Sequence, residues 1–266
     1  MGATRRRCNP IPKRPTPLGP AGAIRLGVFA GLLREEDARR ATVTVKAILA
    51  HGFRCALTGG LAIAAHLRAR GRTVEPQCLN DIDLVVQGFD AIPESVTASF
   101  LLHHVHPDAF EGRTLLQLID EATGVRVDLF RTFGNTLTRA SAAFDDEASA
   151  LHILSIEDLV ARTTALVCGS LRRRKTIDRK HVTAFTRLLG LGRHDQLVAA
   201  WSDHRQAIPG TLEDARREAT RLLKAHPELV VVERYSAVVV PCERCREEGL
   251  FRPGPADRIV QTLGYW

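Results

Sequence analysis

The chain has 266 residues, 45% of them hydrophobic and 25% charged, with a formal net charge of +7. That length suffices for one large domain or two modest ones, and the balance is that of a globular chain, not a disordered or fibrous one. No apolar run approaches the roughly 20 residues that span a bilayer, and no apolar leader follows Arg5-Arg6-Arg7, so a cytoplasmic protein with reduced thiols is expected.

The basic side chains are mostly Arg; Lys13, Lys46, Lys175, Lys180 and Lys224 are the lysines. Such a surface suits nucleotide or nucleic-acid partners, and an Arg-rich coding bias explains it equally well. Residues 1–33 form a Pro/Arg-rich leader in which Pro10, Pro12, Pro15, Pro17 and Pro20 oppose regular structure. A core over residues 34–150 follows, then a helical region over 151–229 and a tail over 230–266.

Glu35 to Ala50 reads as a helix, with Ala38, Ala41, Val45, Ile48 and Leu49 near helical spacing and Gly52 as its stop. Phe53 to Leu57 reads as a short buried strand, followed by Thr58-Gly59-Gly60 and a helix from Leu61 to Arg70. Glycines there let the backbone approach a phosphate chain, and the start of the helix offers N–H groups to it. Asp81 to Val86 reads as a second strand, in which Asp81 and Asp83 share one face while Ile82 and Leu84 take the other.

Phe100 to His106 is expected as a strand. Its His103, His104 and His106 are read as a partly exposed strand end. Thr114–Ile119 and Val125–Phe130 are expected as a hairpin joined through a Gly-containing connection. In the second of these Arg126, Asp128 and Phe130 share a face. Ser155 followed by Asp158 has the pattern of a helix start. Further helices are expected over Asp178–Leu189, Asp195–His204 and Leu212–His226, and a β-like run begins at Val230. Cys242-x-x-Cys245 supplies half of a zinc site's ligands with no second pair nearby, so two thiols in a turn are expected there instead of bound zinc.

Asp81, Asp83 and Asp128 lie in apolar strands, where a stray acid is costly. Neighbouring strands run about 4.8 Å apart, so acids on adjacent strands can meet. Three convergent carboxylates beside a phosphate-cradling turn suit metal-assisted phosphoryl or nucleotidyl transfer.

Thr58-Gly59-Gly60 with its helix, Asp81-Ile82-Asp83-Leu84 and Val127-Asp128-Leu129-Phe130 together resemble the nucleotidyltransferase superfamily of DNA polymerase β, over roughly residues 35–190. Within it the chain resembles small bacterial members, including antibiotic nucleotidyltransferases and the nucleotidyltransferase toxins of type IV toxin–antitoxin systems. The resemblance implies an α/β (α+β) core with a mixed sheet and a helical C-terminal half. It implies that Asp81, Asp83 and Asp128 bind Mg²⁺ or Mn²⁺, with Asp128 as or beside the general base. Thr58, Gly59, Gly60 and Lys180 would hold a nucleoside triphosphate. The acceptor hydroxyl would belong to a small molecule, a tRNA or a protein. Three departures from the family pattern stand out: Arg72-Thr73 lies well upstream of Asp81, Arg162 and Thr163 stand where the toxins carry a Lys, and Ala184 stands where an acid is common. They leave a second expectation open, a catalytically silent nucleotide- or RNA-binding or partner-interaction module.

Overall fold

The computed structural model describes residues 27–88, 91–93, 95–96, 99–105, 115–120, 122–142, 151–205 and 207–232. Most of the leader, His106 and the Cys242–Cys245 motif lie outside them. Among the described residues the first half runs helix, strand, helix and then four strands: α1 (Glu35–Ala50), β1 (Cys55–Leu57), α2 (Gly59–Ala69), β2 (Ile82–Val86), β3 (Phe100–Val105), β4 (Leu115–Asp120) and β5 (Arg126–Arg131). A four-residue helix α3 (Thr136–Arg139) and two short strands, β6 (Ser141–Ala142) and β7 (His152–Ile153), then lead into α4 (Ile156–Arg172). The rest is β8 (Ile177–Asp178), α5 (Arg179–Leu188), α6 (His194–His204), α7 (Leu212–Ala225) and β9 (Val230–Val231).

The architecture is mixed α/β with a helical C-terminal half, as expected. A seven-stranded sheet runs in the order β3-β4-β5-β2-β1-β7-β6, and β8 pairs separately with β9. β2 is antiparallel to β1 and parallel to β5, so the sheet is mixed. One face of its middle strands is wholly apolar: Ile82, Leu84, Val127 and Leu129 are fully buried there. In a strand, alternate residues face opposite sides, so the acids of these strands share the other face. Polar residues inside such strands therefore stand out as sites.

Four elements escaped the sequence reading: α3, β6, β7 and β8. Each is two to four residues long. Such segments carry no periodicity of their own and are held by tertiary pairing; β7, for example, lies parallel to β1 through Ala56 and Leu57. Helix α2 also begins two residues early, at Gly59, so the two glycines form its first turn. Cys55 and Cys168 are free buried thiols.

Helix α4 is the hub of the C-terminal half. Ser155 caps it as expected, accepting from the Asp158 N–H at 3.0 Å. Asp158 itself is completely buried. Its carboxylate receives Arg139 Nε at 3.0 Å, Arg139 Nη2 at 2.6 Å and Ser155 Oγ at 2.5 Å, and lies 3.0 Å from His204 Nε2. Arg139 also donates to Asp203 at 2.7 Å. This network ties α3, after the last long strand, to α4 and α6. It fixes α4 against the sheet and thereby fixes Arg162, which projects from α4 into the site.

Among the described residues no helix is long and apolar enough to cross a membrane.

Candidate active site

The register of the central strands assembles the site. Asp83 on β2 lies directly opposite Asp128 on β5, and Asp128 lies opposite Gln117 on β4. At the end of β1, the Thr58 N–H donates to the Asp83 carbonyl at 2.9 Å. Opposed residues in a sheet project to the same face. A polar row, Gln117–Asp128–Asp83–Thr58, therefore crosses four strands and ends at the start of α2. One step toward the strand starts, the pairing of Ile82 with Val127 sets Asp81 beside Arg126. Residues i and i+2 share a face, so Asp81 joins the same cluster.

The three carboxylates offer oxygen atoms that all lie within 4.8 Å of one another. Asp128 is buried, and Asp81 and Asp83 are half-buried. Burial, together with the charges of Asp81 and Asp128, pushes Asp83 up to about 8. Burial also raises Asp128, to about 6, although the Arg126 guanidinium opposes the rise. Gln117 Nε2 donates to Asp128 Oδ1 at 3.0 Å. Three acids this close disfavour their own ionisation, and that excess of negative potential is what a hard divalent cation relieves. All the donors are carboxylate oxygens, the ligand type that suits Mg²⁺ or Mn²⁺. The donor set fits such an ion.

The glycines behave differently from each other. Gly59 has φ +65°, and a Cβ built there would sit 2.7 Å from Asp83 Cγ and 2.9 Å from Asp83 Cβ. The α2 backbone thus packs directly on the acid, an approach open only to glycine. Gly60 is exposed and has no atom within 4 Å of its added Cβ. Thr58 precedes the helix but makes no side-chain cap. Its hydroxyl instead accepts from Arg162 Nη1 at 3.3 Å.

Besides Arg126, two cations face the acids. Lys180, in the first turn of α5, lowers the pKa of both Asp83 and Asp128 through its charge. Arg162 lies with its Cζ 4.6 Å from the centroid of the Phe130 ring, in cation–π contact. Burial pulls the Arg162 pKa down and the Asp83 charge opposes it. A guanidinium stays protonated under such a shift. Arg162 thus spans from Phe130 on β5 to Thr58 at the start of α2, along the edge of the carboxylate cluster.

The structure brings together Asp81, Asp83, Asp128, Thr58, Gly59 and Lys180, with Gly60 on the exposed side of the same turn. It adds Arg126, Gln117, Phe130 and Arg162 to them. The Arg126-x-Asp128-x-Phe130 alternation already placed two of these on the acid's face. Gln117 and Arg162 gave no such signal, because one comes from a strand register and the other from a helix packing angle.

No family model and no curated protein matches the chain. Among solved structures it is similar to the antibiotic-resistance factor ANT(2″)-Ia, with 15% sequence identity and a TM-score of 0.39, over 71% of this chain and 97% of that one.

Proposed function

We propose that the protein is a metal-dependent nucleotidyltransferase that moves a nucleoside monophosphate from a nucleoside triphosphate to an acceptor hydroxyl. The observation that carries this proposal is the convergence of Asp81, Asp83 and Asp128 within 4.8 Å beside the Gly59 approach. Asp81, Asp83 and Asp128 would hold Mg²⁺ or Mn²⁺, which when bound neutralises phosphate charge and lowers the pKa of a coordinated hydroxyl. The first turn of α2, left uncapped by Thr58, presents N–H groups to the triphosphate, and Arg162 and Lys180 add charge beside it.

In the reaction the acceptor oxygen forms a bond to the α-phosphorus, the bond from that phosphorus to the bridging oxygen breaks, and pyrophosphate leaves. Asp128 would take the hydroxyl proton, directly or with help from a neighbouring group. Gln117 Nε2 donates to Asp128 Oδ1 and orients the carboxylate.

The test is incubation with α-labelled nucleoside triphosphates and Mg²⁺ or Mn²⁺ over a panel of small-molecule, tRNA and protein hydroxyl acceptors. Label transfer by the wild type and its loss in Asp81→Ala/Asp83→Ala is the expected result. Transfer that survives the double substitution refutes the assignment. Metal-dependent nucleotide binding without transfer to any acceptor would favour the silent binding module.

A further inference from the structure

Arg126 has no place in a site built only to collect cations. It lies on β5, two residues before Asp128 and across the sheet from Asp81. Its Nη2 donates to Asp81 Oδ2 and its Nε lies 3.2 Å from Asp128 Oδ1. One guanidinium therefore spans two of the three clustered acids. The side chains of Arg126, Asp81 and Asp128 are 17%, 24% and 8% exposed, so water screens the contact little. The Nε contact is off-line for a hydrogen bond, and Nε ranks among the buried donors without a partner. The hold on Asp128 is thus incomplete. The strand itself does not demand an arginine: its buried neighbours are Val125 and Val127, which face the core.

A divalent cation coordinates carboxylate oxygens at 2.0–2.6 Å, depending on the ion. Arg126 takes a lone pair of Asp81 Oδ2, lies against Asp128 Oδ1 and sets a positive charge against any ion bound between these acids, so guanidinium and ion compete for that side of the cluster. We propose that Arg126 is an internal counter-ion that occupies the Asp81–Asp128 side of the cluster in the metal-free protein and is displaced when a divalent cation binds. Arg126 is on this view a positioning residue: it keeps Asp81 and Asp128 together without metal and sets the ion concentration at which the site loads. The inference rests on the metal-dependent proposal above.

Mn²⁺ titration, followed by the electron paramagnetic resonance signal of the free ion, tests it in five proteins. These are wild type, Arg126→Gln, Arg126→Lys, Arg131→Gln and Asp81→Asn/Asp83→Asn. Arg126→Gln is expected to bind Mn²⁺ about ten- to a hundredfold more tightly, the worth of a charged hydrogen-bonded contact. Arg126→Lys keeps the charge but loses the two-point fork, and is expected to shift the same way by less. Arg131, exposed at the end of the same strand, controls for net charge and is expected to change affinity by no more than about twofold. Independently of folding of the variants, phenylglyoxal modification of Arg126 in the wild type, mapped by mass spectrometry, is expected to speed up on adding Mg²⁺. Equal Mn²⁺ affinity in wild type and both Arg126 variants overturns the exchange, as does a gain that Arg131→Gln matches. Modification that Mg²⁺ leaves unchanged or slows overturns it too. If no protein in the series binds Mn²⁺, or if Asp81→Asn/Asp83→Asn binds it as well as wild type, the metal site itself falls and the exchange with it.

Discussion

Gly59→Ala is the sharpest probe of how the sheet and α2 share the site. Gly59 holds φ +65°, a left-handed conformation that costs a residue with a Cβ about 1–2 kcal/mol. The new Cβ would also meet Asp83 Cγ at 2.7 Å, whereas ordinary contact begins at 3.4 Å, so Asp83 or the start of α2 must retreat by about 0.7 Å. Asp83 has little room to yield, because its backbone is paired on both sides, with Thr58 and with β5. Overpacking of this kind adds about 1–3 kcal/mol, for a total near 2–5 kcal/mol. For a chain of this size that lowers the melting temperature by roughly 5–15 °C. A displacement approaching 1 Å at a reacting group costs on the order of a hundredfold in rate. Gly60→Ala is the matched control, since its Cβ meets open space and Ala favours a helix over Gly by about 1 kcal/mol. Thermal melts, Mn²⁺ titration and label transfer on both variants form the assay. Gly59→Ala is expected to lose stability, metal affinity and transfer together, while Gly60→Ala keeps or slightly raises its melting temperature and keeps its metal affinity. A Gly59→Ala protein that melts and binds Mn²⁺ like wild type would refute the proposed packing of α2 on Asp83.

Other expectations follow from the same geometry. With Asp83 raised to about 8 and Asp128 to about 6, divalent-ion binding drives protons off. Mn²⁺ affinity should therefore rise with pH from about 6 to about 8 and level off above, with proton release visible by calorimetry in buffers of different ionisation enthalpy; a flat profile across that window contradicts the linkage. Arg162→Ala should weaken binding of a fluorescent nucleoside triphosphate about ten- to a hundredfold, and Arg162→Lys should not fully restore it, because the planar stack on Phe130 needs a guanidinium. Unchanged affinity in Arg162→Ala would remove it from the site. Asp158→Ala leaves Arg139 and His204 without their buried acceptor and should cost about 3–5 kcal/mol in urea unfolding, with a loss below about 1 kcal/mol counting against the network. Burial raises the Asp158 pKa, but hydrogen bonds from His204, Arg139 and Ser155 outweigh it and leave it lowered. Its contribution is thus present above the ordinary carboxylate range and lost as pH falls through the folded value, which acid unfolding of wild type against Asp158→Asn would reveal.

By itself the sequence determined the elements with strong periodicity and the acids that interrupt them. Helix α1 matches its expected bounds, and β2 and β5 match theirs to within a residue, because burial of one stripe or of a whole strand leaves a pattern that survives without tertiary context. The convergence of Asp81, Asp83 and Asp128 was legible too, since the pleat sets which residues share a face and adjacent strands bring such faces together. Only the tertiary structure decided the strand order, and with it that Asp83 stands opposite Asp128 and Asp81 opposite Arg126. Register is a property of pairs of strands and cannot be read from one. The same holds for Arg162, whose place beside Thr58 depends on α4 being clamped to α3 and α6 through Asp158. The local chain writes down its acids and glycines; which cation answers them is settled by packing between segments as much as a hundred residues apart.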